Sequence, residues 1–501
     1  MEAPGTPRAL PHRRPVELLT PAEVERVRTA ALDVLERVGV TTTSQRLLRL
    51  MADHGQRVDP EHRRIHLDPG FVLQRIALAP RGVTLAGRLP ERDLVLDGTR
   101  GWLSPDGCAP QLLDPETGRR RASTKEDLGR LTRLADALPE IGLLWRSVSA
   151  NDVPAEVRAL HEVEIQLRST TKHLQTGAGT DAASARGIVE LLRVVAGSAE
   201  ALRARPLLSS IQCVISPLLW DEGPVEAMAV YAEAGVPISI VSMAMACASA
   251  PATIGGLLTL TVAEICSGLA ILQTLSPGAP TILTGYPATM DLRSGSLNLA
   301  AGPDDAFAAM ACTQVLRSLG PPCATGLFSS GAKRPGWQSG AQGGLSAARA
   351  VFSPADLYNG AGGLYAANVF SPVQLVLDAE LFGAATRWAE GHPLDAEHLA
   401  VEVIERVGPE GHFLAEPHTL AHMNELWRSR LLDTAPWEEW EAAGEPDAVA
   451  RAEAEARRLL AEHEPEPLPE EVERELASDR RRPRGRGNSR AVDLSHRSVQ
   501  Q

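Results

Sequence analysis

PGAPTILTGYPATMDLRSGSLNLAAGPDDAFAAMACTQVLRSLGPPCATGLFSSGAKRPGWQSGAQGGL, residues 277–345, is the stretch that decides the fold. Two apolar runs, 281–286 and 322–328, each follow a Gly/Pro turn and end in a loop of small residues. Between them, residues 304–318 are Ala-rich helix formers, opened by Pro303 and stopped by Gly320 and Pro321. This is a strand–loop–helix–strand unit, the repeating piece of a parallel sheet. The polar residues gather after each strand: Tyr286, Asp291 and Arg293, then Ser329, Ser330 and Lys333. Parallel α/β folds hold their ligands at those strand ends.

Working outward, the same alternation recurs. Strands are expected at 101–113, 141–149, 170–177, 207–216, 236–243, 280–286, 323–329 and 356–361. Helices are expected to start at Thr124, Pro154, Asp181, Asp221, Ala252, Pro303, Gly340 and Pro372, several of them good caps or a proline without a donor to lose. Eight strand–helix pairs in one run predict an α/β fold, a closed (β/α)8 TIM-type barrel over residues 101–390. An open doubly wound sheet competes, but no G-x-G-x-x-G follows any expected strand.

The flanks read differently. Residues 1–18 are Pro/Arg-rich and expected to be disordered. Residues 19–100 form an α+β cap, entered by a helix with Thr20 as N-cap, Pro21 at its first position, Glu23 at its third and Gly39 beyond its end. Residues 391–445 make a C-terminal helical extension. Residues 446–501 are a charged helix broken by Pro465, Pro467 and Pro469, then an Arg/Ser/Gly-rich tail expected to be disordered.

Composition narrows the function classes. The chain has 501 residues and a formal net charge of −13, against the basic face a nucleic-acid partner requires. With 4% aromatic residues, small side chains must carry much of the packing. None of the six cysteines forms C-x-x-C and most sit in apolar runs, so buried reduced thiols and a cytoplasmic location are expected. The opening MEAPGTPRALPHRRP lacks the apolar core of a signal peptide. The apolar run 255–275 contains Glu264 and Ser267, so it is expected to be a buried helix, with no membrane association. H-E-x-x-H, Walker and G-x-S-x-G motifs are absent, and no protein-bound metal is expected.

Several segments resemble the trimethylamine methyltransferase superfamily, in order from about residue 19 to about residue 444. They are PGAP, Met290-Asp291 with Gly295, and Ala332-Lys333 with Gln338 and Gly340. ASAPATIGG at 248–256 with Ala263-Glu264, and GHFL at 411–414 with His418-Thr419, extend the similarity. The resemblance implies demethylation of a quaternary or tertiary amine, with the methyl passed to a Co(I) cobalamin or other corrinoid on a partner protein. It implies one-carbon chemistry of the kind linked to methanogenesis, and an assembly of identical subunits. No residue is pyrrolysine, so the likeness is to the non-pyrrolysine branch, typified by glycine betaine methyltransferases. Where the family's S-D-A-K-x-x-D-x-Q-x-G-x-E stretch is acidic, this chain has Gly331, Gly336 and Gln342. Two readings therefore stand: an active methyltransferase, or a methylated-amine-binding barrel that has lost methyl transfer.

The expected site follows from strand ends and from that likeness. His173, read with Lys172 and Gln175 as closing the third strand, joins Asp291 and Lys333 as the catalytic candidates. Three of the four tyrosines, 286, 358 and 365, lie at or beyond strand ends, with Phe328 and Trp337 nearby in sequence. A quaternary amine has no N–H to donate and is recognised by ring faces. Tyr286, Phe328, Trp337, Tyr358, Gln175 and Asn359 are therefore the expected substrate-binding set. The competing reading is that these aromatics only pack loops over the barrel mouth.

Overall fold

In the computed structural model, which describes residues 6–13, 15–298 and 302–479, eight parallel strands alternate with eight helices. The strands are β1 (Arg100–Pro105), β2 (Leu143–Trp145), β3 (His173–Thr176), β4 (Leu208–Cys213), β5 (Ile238–Ser242), β6 (Thr281–Gly285), β7 (Cys323–Gly326) and β8 (Leu357–Ala361). The helices that follow them are α1 (Lys125–Ala137), α2 (Ala155–Ser169), α3 (Ala182–Ala196), α4 (Glu222–Glu233), α5 (Ile254–Leu275), α6 (Pro303–Arg317), α7 (Trp337–Phe352) and α8 (Pro372–Glu390). Each strand pairs in parallel with the next from β2 to β8, and β8 pairs with β1 at Leu357 and Trp102. The ring closes between β1 and β2, where Leu103 bridges Ile141 and Gly142 N donates to Leu103 O at 2.8 Å. The protein is a (β/α)8 barrel.

Local chemistry explains the helix starts. Thr124 and Asp127 form a capping box, Asp181 accepts from two backbone amides, and Pro303 and Pro372 occupy first helical positions. Two starts move: α5 begins at Ile254 with Thr253 as its cap, and α7 begins at Trp337, ahead of the expected Gly340. The first expected strand also shortens. β1 ends at Pro105, and Gln111–Leu113 instead pairs antiparallel with Arg120–Ala122 outside the barrel.

Strand alternation sorts the side chains into two cores. Leu103, Leu144, Leu174, Leu208, Ile238, Ile240, Leu283 and Cys323 point outward into the layer beneath the helices. Inward at the N-terminal end lie Trp102, Leu143, Ile282, Ala324 and Leu357, packed on a hairpin of Val83–Leu85 and Leu94–Leu96 that plugs the barrel floor. The helix Pro21–Arg37, with the Thr20–Glu23 capping box in place, packs against α5. Covered by that helix on one side and by strands β5 and β6 on the other, α5 is buried on most sides and largely apolar, which gives it the length and hydropathy of a membrane span while 78% of its most apolar window is buried.

The expectation of a loose N-terminus fails at Leu10–Pro11, which pair antiparallel with Arg100 and Gly101. Leu10 is fully buried and His12 Nδ1 bonds Gly98 O at 2.9 Å, so this short strand has packing to hold it. Residues 391–479 wrap the outside. Ala448–Glu462 packs on α8 and α1, and Arg430 bridges Glu380 at 3.0 Å and Glu140 at 2.9 Å. The tail expected to be disordered lies, from residue 480, outside the described residues. All six cysteines are free, but only Cys266, Cys312 and Cys323 are buried; Cys108 and Cys213 are half-buried and Cys247 is exposed. The last three sit on strand-end loops or at a strand end, where apolar sequence context does not enforce burial.

Candidate active site

Above the floor, the barrel interior turns polar and then aromatic. Gln175 on β3, Ser209 on β4, Asn359 on β8 and Ser104 on β1 form a hydrogen-bonded layer: Asn359 Nδ2 donates to Ser104 Oγ at 2.6 Å and Gln175 Oε1 at 3.5 Å, and Gln175 Nε2 donates to Ser209 Oγ at 3.4 Å. Tyr286, one residue past β6, closes the layer from above by donating its hydroxyl to Asn359 Oδ1 at 2.9 Å. Three expected residues, Tyr286, Gln175 and Asn359, thus meet at one place.

The mouth itself is lined by Trp145, Ile211, Cys213, Val241 and Tyr286. The Trp145 and Tyr286 rings are near-parallel, with centroids 6.4 Å apart and planes 12° apart. Two glycines leave room for them. A Cβ on Gly107 would come within 2.1 Å of the Trp145 ring, and one on Gly326 within 3.3 Å of Tyr286. Beside the pair lies Asp106, just past β1, which accepts from Ser329 Oγ at 2.7 Å and Gly107 N at 2.9 Å. Burial raises the Asp106 carboxyl to about 6, and burial likewise raises Asp378, bonded to Gly362 N and Gln374, to about 7. Burial and then the Asp106 charge hold the Tyr286 phenol protonated. A small crevice on the outer side of Tyr286, lined by Asp305, Ser329 and Arg349, measures about 10 Å³, room for a single water at most.

The other expected residues lie elsewhere. His173 opens β3 rather than closing it, is fully buried in the floor, and bonds Ala86 O through Nδ1 at 3.0 Å. Burial lowers its pKa to about 4, so the ring is neutral. Tyr358 neighbours Asn359, and alternation turns it outward: its hydroxyl donates to Ser353 O at 2.5 Å and its ring packs on Phe382. Phe328 is buried beside α7 in the outer core. Trp337 starts α7 with 89% of its surface exposed. Asp291 sits on a rim hairpin, paired with Arg293 at 2.8 Å, which holds its carboxyl down at about 2. Lys333 is exposed, donates to Gly331 O at 2.9 Å and lies 4.5 Å from the Tyr365 ring centroid. These six do not share a cavity with Tyr286.

Sequence reasoning missed Trp145, Asp106 and Ser104. Trp145 ends the second strand and Asp106 follows the first only because both strands are shorter than expected; with strands read over 101–113 and 141–149 the two residues lay mid-strand, where the strand-end rule could not single them out. Glu264 of the Ala-Glu pair is a buried brace from α5, accepting from Ser242 Oγ at 2.6 Å, Ser216 Oγ at 2.8 Å and Leu218 N at 2.9 Å. Gln342, at one of the departed acidic positions, accepts from Ser330 Oγ at 2.6 Å and Gly331 N at 3.2 Å.

Fold and mouth together define a parallel barrel whose strand C-terminal ends, where such folds hold their ligands, carry ring faces and a buried carboxyl as a candidate site. The family model described as trimethylamine methyltransferase (MTTB) matches residues 3–486. The chain belongs to that family and is a methyltransferase. It is 30% identical over 456 residues to the trimethylamine methyltransferase MttB of Desulfitobacterium hafniense, covering 91% of this chain and 92% of that one. The glycine betaine methyltransferase of another strain of that species is 29% identical, covering 92% and 95%. Among solved structures, the Methanosarcina barkeri monomethylamine methyltransferase superposes with a TM-score of 0.45 at 11% identity, covering 88% and 93%.

Proposed function

We propose that this chain takes a methyl group from a quaternary methylated amine and passes it to a corrinoid carried by a partner protein. The observation that supports this most directly is the Trp145–Tyr286 pair beside Asp106. With the two centroids 6.4 Å apart, one cation seated at the mouth beside the pair can lie within about 6 Å of both, the range in which ring quadrupoles attract it. Asp106, ionised above about pH 6, adds a negative charge in a poorly hydrated site. Trp145 Nε1 is buried without a hydrogen-bond partner among the described residues, a donor for an acceptor group on the same ligand.

The rim fits a docking partner. Met243 after β5, Leu292 in the hairpin after β6 and Trp337 at the start of α7 are 53%, 70% and 89% exposed at the C-terminal end of the barrel. A Co(I) corrinoid, when bound there, supplies the nucleophile that accepts the methyl group. The work left to this chain is to hold the ammonium centre against the rings with one methyl facing the mouth, and to exclude water behind it. A quaternary amine leaves as a neutral molecule, so the site needs no general acid, in keeping with the absence of His173, Asp291 and Lys333 from it.

The test is a demethylation screen with Co(I) cobalamin and tetramethylammonium, choline, carnitine, glycine betaine and trimethylamine. Turnover of at least one quaternary ammonium compound is expected, and loss of that turnover in Trp145→Leu. Tight binding with no turnover of any compound would instead establish the binding-only reading, which the departures at Gly331, Gly336 and Gln342 favour.

A further inference from the structure

We infer that the C-terminal extension binds a divalent transition-metal ion, zinc by the chemistry of its donors, between His398, His422 and Glu425. One ligand atom from each of the three lies within 4.8 Å of the others. Each imidazole turns one nitrogen to Glu425: His398 Nε2 is 3.5 Å from Oε2, and His422 Nδ1 is 2.6 Å from Oε1. Each turns its other nitrogen to a second carboxylate, His398 Nδ1 to Asp395 at 2.6 Å and His422 Nε2 to Glu397 at 3.5 Å. That division, one nitrogen for the ion and one oriented by a carboxylate, is how metal-binding histidines are set in place. Bonds of about 2.0–2.1 Å to a tetrahedral zinc put neighbouring donors about 3.3–3.5 Å apart, so the three atoms need shifts of only about 1 Å. Two imidazoles and a carboxylate leave the fourth position for water.

A second observation points the same way. The helices Ala396–Leu399, Val401–Val407 and Pro417–His422 bury no residue, and each is far too short to be stable alone. Segments without a hydrophobic core are commonly held by a metal cross-link, which here ties residue 398 to residues 422–425. The segment follows the C-terminal end of α8, on the side of the barrel opposite the mouth, and Arg387 of α8 donates to Glu425 O at 3.0 Å. The ion thus lies apart from the site of methyl transfer. It departs from the expectation of no protein-bound metal, because its ligands converge only in the folded extension.

The full-length protein, without an affinity tag, is stripped with a chelator, loaded with zinc and desalted, and its metal is counted by elemental analysis. About one equivalent is expected in wild type, with at least a tenfold weaker dissociation constant in His422→Gln and no retention in His398→Gln/His422→Gln. Asp395→Asn, which keeps all three ligands, should weaken binding without abolishing it. Cobalt substitution should give the visible absorption of a four-coordinate site, and chelation should speed hydrogen exchange within residues 395–425. Because the segment buries nothing, circular dichroism melts of the variants should match wild type without metal. No zinc bound by wild type at micromolar concentration, the result of a hydrogen-bonded cluster only, overturns the inference; so does undiminished zinc in the double variant.

Discussion

Replacing Tyr286 by leucine and by phenylalanine separates the two things this residue does. Leucine keeps an apolar side chain but removes the ring face that stands beside Trp145 at 6.4 Å. The loss of one partly desolvated cation–π contact is about 0.5–2 kcal/mol, roughly two- to thirty-fold in the dissociation constant of a quaternary ammonium compound. Phenylalanine keeps the ring and removes only the hydroxyl that Asn359 Oδ1 accepts at 2.9 Å. That leaves a buried amide oxygen without its donor, at a cost of about 1–3 kcal/mol in stability but little in cation affinity. Calorimetry with choline and its neutral tert-butyl isostere, 3,3-dimethylbutanol, reads the first effect; denaturant unfolding reads the second. Equal loss for choline and for the neutral isostere in Tyr286→Leu would refute cation recognition by this ring and leave it a shape-filling role.

Asp106 titrates in the range where binding is measured. Its folded pKa, raised by burial to about 6, lies above the unfolded value, so its effect on stability is most favourable at low pH and is lost as pH rises between about 4 and 6. Ammonium affinity runs the opposite way, rising as pH passes 6, and Asp106→Asn should flatten that profile in calorimetry from pH 5 to 8. Gly107→Ala puts a methyl within 2.1 Å of the Trp145 ring and should weaken choline binding by displacing it, which tryptophan fluorescence will report. His173→Gln should lower unfolding free energy by about 1–3 kcal/mol through the lost floor bond to Ala86 while leaving the turnover of folded enzyme unchanged. A large fall in turnover at full occupancy of the folded state would return His173 to the chemistry.

What the sequence determined by itself was everything carried by near neighbours. Thr20, Thr124, Asp181 and Pro372 mark helix starts because a cap is a bond to an amide two or three residues on, and a proline's missing donor is local too. The order of eight strands and eight helices followed from apolar period, and with it the closed barrel. Tertiary structure decided which way each strand's residues face and where each strand begins. Tyr358 and Asn359 are adjacent, and only the register of β8 against β1 and β7 places the asparagine in the barrel and the tyrosine in the outer core. His173 fell at the floor because β3 starts at that residue, three later than the strand expected over 170–177. Trp145, Tyr286 and Asp106 come from three strand ends far apart in sequence and meet only when the ring of strands closes; His398 and Glu425 meet only when the extension folds back. Side-chain convergence depends on strand shear and helix docking, and those are set by packing summed over the whole chain.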